Sequence, residues 1–317
     1  MSIMMRLVFN LVLLAALAAC STAAPPANAK QPSYHINILS QYDIPRSEIK
    51  GLTVSELSDV AWDEDEQLLY AVSDKNYLLH FQLQLENQQI IKVKPVYARR
   101  LRPAQADHQP RPPRDPEGLS ALNTHNGRRG DTQLVIAFEY MPRVLRTNTA
   151  GQQTGEYALP LVLRDRHNYR PGNQSLESVV MHPQYGMLTA PEAPLKKQPD
   201  NLHTVYSAQQ TWSFMAYPAP NSSITALEVL PDNSLLVLER AWNGIGNPMV
   251  IALRRVDLAN CSPKGACTAE NLKVTSSLFS IDNFEGLTRL KDNLYLMVSD
   301  DSSSDWLRNR LTLFRVE

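Results

Sequence analysis

The chain has 317 residues, of which 43% are hydrophobic, and a formal net charge of −1. That is enough apolar material for one large core, and repeat or all-β folds of this length commonly form a single domain. No overall basic field is present, which argues against a nucleic-acid partner and for a small ligand.

The first residues read as processing information. Met1 to Arg6 is short and basic, and Leu7 to Ala19 is an apolar run too short to cross a bilayer comfortably. Leu17-Ala18-Ala19-Cys20 follows and resembles a bacterial lipobox. That resemblance implies cleavage before Cys20 and lipidation of its thiol, so that a folded body is anchored to a membrane surface. Ser21 after the cysteine implies sorting to the outer membrane, on its periplasmic face. An ordinary signal peptide with an incidental Cys20 is the alternative. Residues 21–33 are rich in Ala and Pro and suit a disordered tether. The expected organisation is a leader over 1–19, a tether over 20–33 and a folded domain over 34–317.

A strand is expected over His35 to Ile44, before the first copy of a repeated unit. That copy reads LSDVAWD at Leu57 to Asp63, then LLYAVSD at Leu68 to Asp74. The second has DPEGL at Asp115 to Leu119 with LVIAFE at Leu134 to Glu139. The third has SLESV at Ser175 to Val179 with GMLTAPE at Gly186 to Glu192. A degraded fourth has SITALEVL at Ser223 to Leu230 with SLLVLER at Ser234 to Arg240. The fifth has NFEGL at Asn283 to Leu287, then Leu294 to Val298 running into Ser299-Asp300-Asp301.

Copies recur at roughly 50 to 60 residues, a period of solenoids, arrays and propellers. Each copy predicts four strands, rich in β-branched and aromatic residues and punctuated by Gly, Pro, Asp and Asn. Third and fourth strands are expected at Tyr77 to Leu85 and Ile91 to Leu101, at Arg143 to Thr147 and Glu156 to Leu161, and at His203 to Ala208 and Thr211 to Tyr217. The fourth copy supplies Met249 to Asp257 and Leu272 to Ile281.

The fifth copy runs out after Arg310 to Val316, with three strands. Ring closure by the N-terminal strand removes both exposed edges and predicts an all-β propeller of five four-stranded blades. Six blades would need a repeat hidden in Arg99 to Arg114 or Leu163 to Gln174, which read better as loops. Between the last two strands of the fourth copy, Cys261 and Cys267 are read as a disulfide in an oxidising envelope compartment, since a metal site would need further ligands nearby.

The ordered set DPEGL, LES with APE, LLVLER, and NFEGL with LMVSDD resembles the phytase-like domain family, also called esterase-like activity of phytase. The resemblance runs from about Leu52 to the end. It implies a β-propeller of the bacterial envelope with a phosphoesterase activity.

In a propeller the first strand of each blade lines the axis, so residues at one level of the repeat form a ring. Glu117, Glu177 and Glu285 are three members. For the first copy the choice lies between Glu56 and Asp59; Asp59 to Asp74 has the same separation as Glu285 to Asp300, which favours Asp59. Thr225 is the uncharged fifth. Converging carboxylates repel unless protons or a cation lie among them. All-oxygen ligation points to a divalent ion, calcium ahead of magnesium. The arrangement is similar to lactonase-type propellers in architecture alone. The alternative is structural, with the acids bonding backbone N–H groups to close the ring.

A second acidic set, Asp74, Glu139, Glu192, Glu239 and Asp300, is expected to serve turns and loops. Arg240, Lys75 and Arg143 stand close to these acids and are candidates for binding a phosphate; salt bridges to acidic neighbours are the alternative. Arg99, Arg100, Arg102, Arg111 and Arg114, interleaved with prolines, form a basic loop able to draw in an anion. His167 is the histidine placed to act as acid or base, or else a surface residue.

No G-x-S-x-G elbow, P-loop or H-E-x-x-H occurs. The sequence therefore predicts, for hydrolysis, a metal-dependent phosphoesterase acting on a small anionic ester, with Glu117, Glu177 and Glu285 as its catalytic core and a monomeric body. A non-catalytic propeller binding a glycan, lipid or envelope protein, and a lactonase-like hydrolase, are the alternatives.

Overall fold

The computed structural model describes residues 34–102, 114–171, 174–278, 282–304 and 306–317. The expectations for the leader over 1–19, for Cys20, for the tether over 20–33 and for Arg111 concern residues outside this set.

The folded chain opens with β1 (Ile36–Asp43) and a small hairpin, β2 (Glu48–Ile49) and β3 (Leu52–Thr53). The first blade is β4 (Leu57–Asp63), β5 (Leu68–Ser73), β6 (Tyr77–Glu86) and β7 (Gln89–Arg100). The second is β8 (Arg114–Leu122), β9 (Gln133–Tyr140), β10 (Arg143–Asn148) and β11 (Gln153–Tyr157). The third is β12 (Leu176–His182), β13 (Gly186–Pro191), β14 (Leu202–Tyr206) and β15 (Thr211–Met215). The fourth is β16 (Ser222–Val229), β17 (Leu235–Ala241), β18 (Met249–Val256) and β19 (Ala269–Ser277). β20 (Asn283–Lys291), β21 (Leu294–Asp300) and β22 (Arg310–Val316) make the fifth, and β1 completes it as its outermost strand.

Each blade is an antiparallel meander, and the described residues form five such sheets. β1 pairs with β22 from Ile36 opposite Val316 to Asp43 opposite Arg310. The first and last strands of the propeller are thereby zipped together, which removes the free edge the fifth blade would otherwise carry. The innermost strands touch in a closed circuit, β4 to β8, β8 to β12, β12 to β16, β16 to β20 and β20 back to β4.

The sequence dictates this layering through burial. Second strands such as β5 and β21 are covered on both faces and read as continuous apolar runs, LLYAVS and LYLMVSD. Outer strands meet water along part of their length: β6 is buried over its first half and alternates from Gln82 onward. Neighbouring blades share cores. Leu57, Val60 and Leu69 pack with Leu296, Val298 and Leu313 across the closure, and Val180 and Leu188 pack with Leu227 and Val237 between the third and fourth blades.

Two connections carry short helical turns. α1 (Leu161–Arg164) and a 3-10 turn over Arg166–Asn168 bridge the second and third blades, with Leu163 and Tyr169 buried beneath them. The cysteine loop closes as the sequence predicts, in a Cys261–Cys267 disulfide.

Candidate functional site

Every innermost strand carries the same irregularity near its start. Its pairing register slips by one residue between Leu57 and Asp59, Pro116 and Gly118, Leu176 and Ser178, Ile224 and Ala226, and Phe284 and Gly286. The residues at these five bulges are Ser58, Glu117, Glu177, Thr225 and Glu285. A bulge leaves its residue out of the ladder and re-aims the side chain. Here, repeated around the ring, it brings ligand oxygens of Glu117, Glu177 and Glu285 within 4.8 Å of one another.

The residue after each bulge packs against the next blade. A Cβ on Gly118 would lie 2.7 Å from the Val179 nitrogen, and one on Gly286 would lie 2.5 Å from Cα of Asp59. The Glu-Gly pairs of DPEGL and NFEGL thus have a joint cause: the glutamate is the bulge, and the glycine lets the neighbouring backbone approach.

Asp59 stands at this second level, and the expectation that it joins the carboxylate ring is corrected. Its Oδ1 accepts from the N–H of Val60 at 2.8 Å and of Leu287 at 2.9 Å, and its Oδ2 from that of Leu119 at 2.7 Å. It clasps the first blade to the second and the fifth. Ser58 holds the ring position in its place and donates to Asp74. Blade one misleads because its β4–β5 turn, between paired residues Asp63 and Leu68, is one residue longer than the turn between His182 and Gly186. That extra residue gave Asp59 the spacing that Ser58 would have shown.

Residues at the ends of the second strands form a further tier: Asp74, Glu139, Glu192, Arg240 and Asp300, each one position beyond the partner of the residue before the bulge. The second acidic set therefore belongs with the site. Asp74 and Asp115 bring oxygens within 4.8 Å of Glu117, and Glu139 and Glu192 do so with Glu177. Asp300 is tied to Ser302. Glu239 is the exception. One residue along a strand reverses the face, so Glu239 points away from the tier into a buried cluster with Arg254 (2.6 Å) and His203 (3.4 Å). Arg240 takes the tier position.

A family model described as phytase-like, esterase-like activity of phytase, matches residues 52–302. The chain belongs to that family. No curated protein matches it. Among solved structures it is similar to the Myceliophteria thermophila Cps50 (Swd1) β-propeller domain, at 12% identity over 82% of this chain and 84% of that one, with a TM-score of 0.37. The blade count rests on the strand pairings above.

The site of this phytase-like chain gathers carboxyl groups from several blades, and its inner members are out of solvent. Glu117, Glu139 and Glu177 are buried, and the side chain of Glu285 is 12% exposed. Burial, and then Asp74 and Asp115 beside it, push the Glu117 carboxyl well above the usual carboxylate range. Burial, Glu192 and Glu117 do the same to Glu177. Burial pushes Glu139 up to about 8 against the opposing Ser175 N–H, and Asp74 up to about 7 against the Ser58 hydroxyl. Glu192 and Glu285 are also raised by burial, but Arg240 opposes the shift in both.

Arg240 is the cation inside the cluster. Its Nη2 donates to Glu192 Oε1 at 3.0 Å, and its Nη1 donates to Glu285 and to the Asn283 side chain. These donors orient carboxylates of two blades, so the expected role of Arg240 as a free phosphate ligand is corrected to a positioning one. The other two expected phosphate ligands are also engaged. Lys75 donates to Ser55 at 2.6 Å and Ser303 at 2.9 Å and lies 3.6 Å from Glu56. Arg143 is forked onto Glu156 on the outer strands of the second blade. His167 is exposed and paired with Asp165 at 2.9 Å. Arg99 donates to the Ala150 carbonyl, and Arg100 to Tyr77.

Sequence reasoning grouped Asp74, Glu139, Glu192 and Asp300 but assigned them to turns, placed Glu239 where Arg240 belongs, and missed Asp115 beside Glu117. The available signal for Arg240 was the common offset of the tier, which it keeps as regularly as Asp74, Glu139, Glu192 and Asp300: each stands one position beyond the second-strand residue paired with the one before the bulge.

Proposed function

We propose that this phytase-like propeller is a divalent-metal-dependent phosphoesterase acting on a small anionic ester, carried on the cell envelope by a lipid at Cys20. The observation that carries the reading is the approach of Glu117, Glu177 and Glu285 within 4.8 Å at the axis. Two oxygens bound to one calcium at its usual distances of about 2.3–2.6 Å are separated by no more than roughly 5 Å. The donor set is all oxygen, with no histidine or thiolate, which fits calcium or magnesium and not zinc. Arg240 meets Glu285 but is not among the charges that act on Glu117, so three carboxyls held together out of water keep their full charge only if more positive charge joins them.

Glu117, Glu177 and Glu285 would hold the ion. When bound, it supplies positive charge against a phosphate and lowers the pKa of a water. The surrounding residues have separate tasks. Arg240 fixes Glu192 and Glu285 so that they need not reorganise. Asp74 and Glu139, whose oxygens come within 4.8 Å of Glu117 and of Glu177, are placed to pass a proton to or from a group beside those ligands.

Hydrolysis of a phosphate monoester such as p-nitrophenyl phosphate tests the reading. Activity should vanish with a chelator, return with calcium, and be lost in Glu117→Ala/Glu285→Ala; a double variant as active as the parent would end it. A lactonase-like activity would use the same carboxylates and differ only in its substrate.

A non-catalytic binding propeller is the second reading. It is supported by exposed Trp242, Ile245 and Trp306 in the β17–β18 and β21–β22 loops, at the end of the propeller where the acids converge. A bound partner would cover this exposed apolar area. A ligand screen with binding but no turnover of any ester would favour it.

A further inference from the structure

The seam between the second and third strands of the third blade is the thinnest in the ring. β13 and β14 pair at one position, Thr189 opposite Tyr206, whereas the matching strands of the other blades pair along most of their length, as β9 and β10 do from Phe138 opposite Arg143 to Gln133 opposite Asn148. β14 and β15 are regularly paired with each other, from Leu202 opposite Met215 to Tyr206 opposite Thr211. The outer half of this blade is thus a sound hairpin behind a weak seam. Its further support comes from the fourth blade.

The disulfide loop supplies that support at one end. Ser213 N–H donates to the Gly265 carbonyl at 2.7 Å and Cys267 N–H donates to the Ser213 carbonyl at 2.8 Å, so the loop lies as a short parallel bridge along the outer edge of β15. The approach is close enough to require glycine: Gly265 has φ +77°, and a Cβ there would lie 2.2 Å from the Thr211 carbonyl oxygen. Cys261 and Cys267 also pack against the core that contains Trp212 and Phe214. The other end of the hairpin is held without a covalent bond. Arg254 donates to the Met215 carbonyl at 2.8 Å, and Glu239 accepts from the Tyr217 N–H at 2.7 Å.

From Ser213 a line of hydrogen bonds runs back to the acidic tier. The hydroxyls of Ser213 and Thr204 bond at 2.9 Å, Gln198 Nε2 donates to Thr204 Oγ1 at 2.9 Å, and Gln198 Oε1 accepts from the Leu195 N–H at 3.1 Å. Buried Leu195 stands three residues after Glu192, the carboxylate that Arg240 holds at 3.0 Å. The loop at one end of the propeller is therefore linked through the hairpin to a member of the tier at the other.

We propose that the Cys261–Cys267 loop is a redox latch: its reduction by a dithiol frees the β14–β15 hairpin from the fourth blade and loosens the segment that positions Glu192 in the acidic tier. A thiolate of the reductant attacks one sulfur, the S–S bond breaks through a mixed disulfide, and the second thiol of the reductant resolves it. Two electrons and two protons pass to the chain, which then carries two cysteine thiols, and the reductant leaves as its own disulfide. Access is open, since both cysteines are partly exposed and Ser262, Pro263, Lys264 and Ala266 between them are exposed. Once opened, the loop has no covalent tie keeping Gly265 at Ser213. A hairpin with a single ladder position behind it is then the part of the ring that opens first.

Amide hydrogen exchange of the folded full-length chain, with and without dithiothreitol, tests the latch. It is read in chelator, so the outcome does not depend on whether the axis holds a metal, and reduction is confirmed by the mass of the alkylated thiols. Reduction should speed exchange about tenfold over 192–201 and over the hairpin at 202–215, and leave β9–β10 and β21–β22 as they were. Cys261→Ser/Cys267→Ser should exchange at the faster rate with or without the dithiol. Gly265→Ala, which keeps the disulfide but pushes the loop off Thr211, should do the same, and this arm needs no cysteine to be removed. Unchanged exchange in the reduced chain overturns the latch, and so does an equal rise in every blade, which would make the disulfide a staple of the whole ring. A faster hairpin with 192–201 unaltered overturns the link to Glu192.

Discussion

Arg240 of the fourth blade reaches Glu192 of the third, Nη2 to Oε1 at 3.0 Å, while its other terminal nitrogen donates to Glu285 of the fifth. One guanidinium thus ties together two blades that flank its own, at a tier where the remaining blades supply only acids. Removing one partner of such a cluster is costly because the other charges stay behind unpaired.

Arg240→Ala is expected to lower the unfolding free energy of the metal-free protein by about 3–5 kcal/mol at neutral pH, the range for breaking a buried pair. The loss should shrink at pH 5, where protons neutralise the acids. Urea melts at the two pH values measure it.

The pH dependence of stability follows from the raised carboxyls. An acid whose folded pKa exceeds its unfolded value holds a proton that the unfolded chain has released, so its contribution is complete below the unfolded pKa and is lost as pH rises through the folded one. With Asp74 raised from 3.8 to about 7 and Glu139 from 4.5 to about 8, the window runs from about pH 4 to 8. In chelator, the melting temperature should fall between pH 5 and pH 8. Calcium should restore it at pH 8 by taking the place of the protons. A melting temperature rising across this window without metal contradicts the assignment.

Asp59 separates a structural acid from a ligating one. Asp59→Ala leaves the Leu119 and Leu287 N–H groups without acceptors between blades, at a cost of about 1–3 kcal/mol for each buried donor. Calcium affinity of the folded protein should be unchanged. Denaturation and calorimetry on the same variant give both readings.

Gly286→Ala tests the cause of the Glu-Gly signature. Its Cβ would meet Cα of Asp59 at 2.5 Å, backbone that cannot rotate away. Overpacking of this sort costs about 1–3 kcal/mol, and a thermal melt should show it even with Glu285 intact.

Much of the fold was legible because burial imposes it on the sequence. Apolar second strands such as LLYAVS and LLVLERA recur at blade spacing, and the spare strand over His35 to Ile44 had one vacancy to fill, beside β22. Glu117, Glu177 and Glu285 were legible for the same reason, since each opens a strand of fixed role. What escaped depends on one-residue register. Ser58 and Asp59 differ by a single position, as do Glu239 and Arg240, and in both pairs one side chain enters the site while its neighbour turns to the opposite face. Hairpin length shifts that register without leaving a mark on composition. The partners of Lys75 and Arg143 escaped for another reason: Glu56 and Glu156 are brought to them by pairing between strands and loops, which local spacing does not encode.

The most direct measurement is the divalent-ion content and affinity of the purified protein, by elemental analysis and calcium titration, beside those of Glu117→Gln/Glu285→Gln. The double substitution removes two charges and keeps the shape of the site. About one ion per chain is expected in the parent, at least tenfold tighter than in the variant. A parent that binds no divalent ion, or a variant that binds it equally well, contradicts a metal centre at the axis.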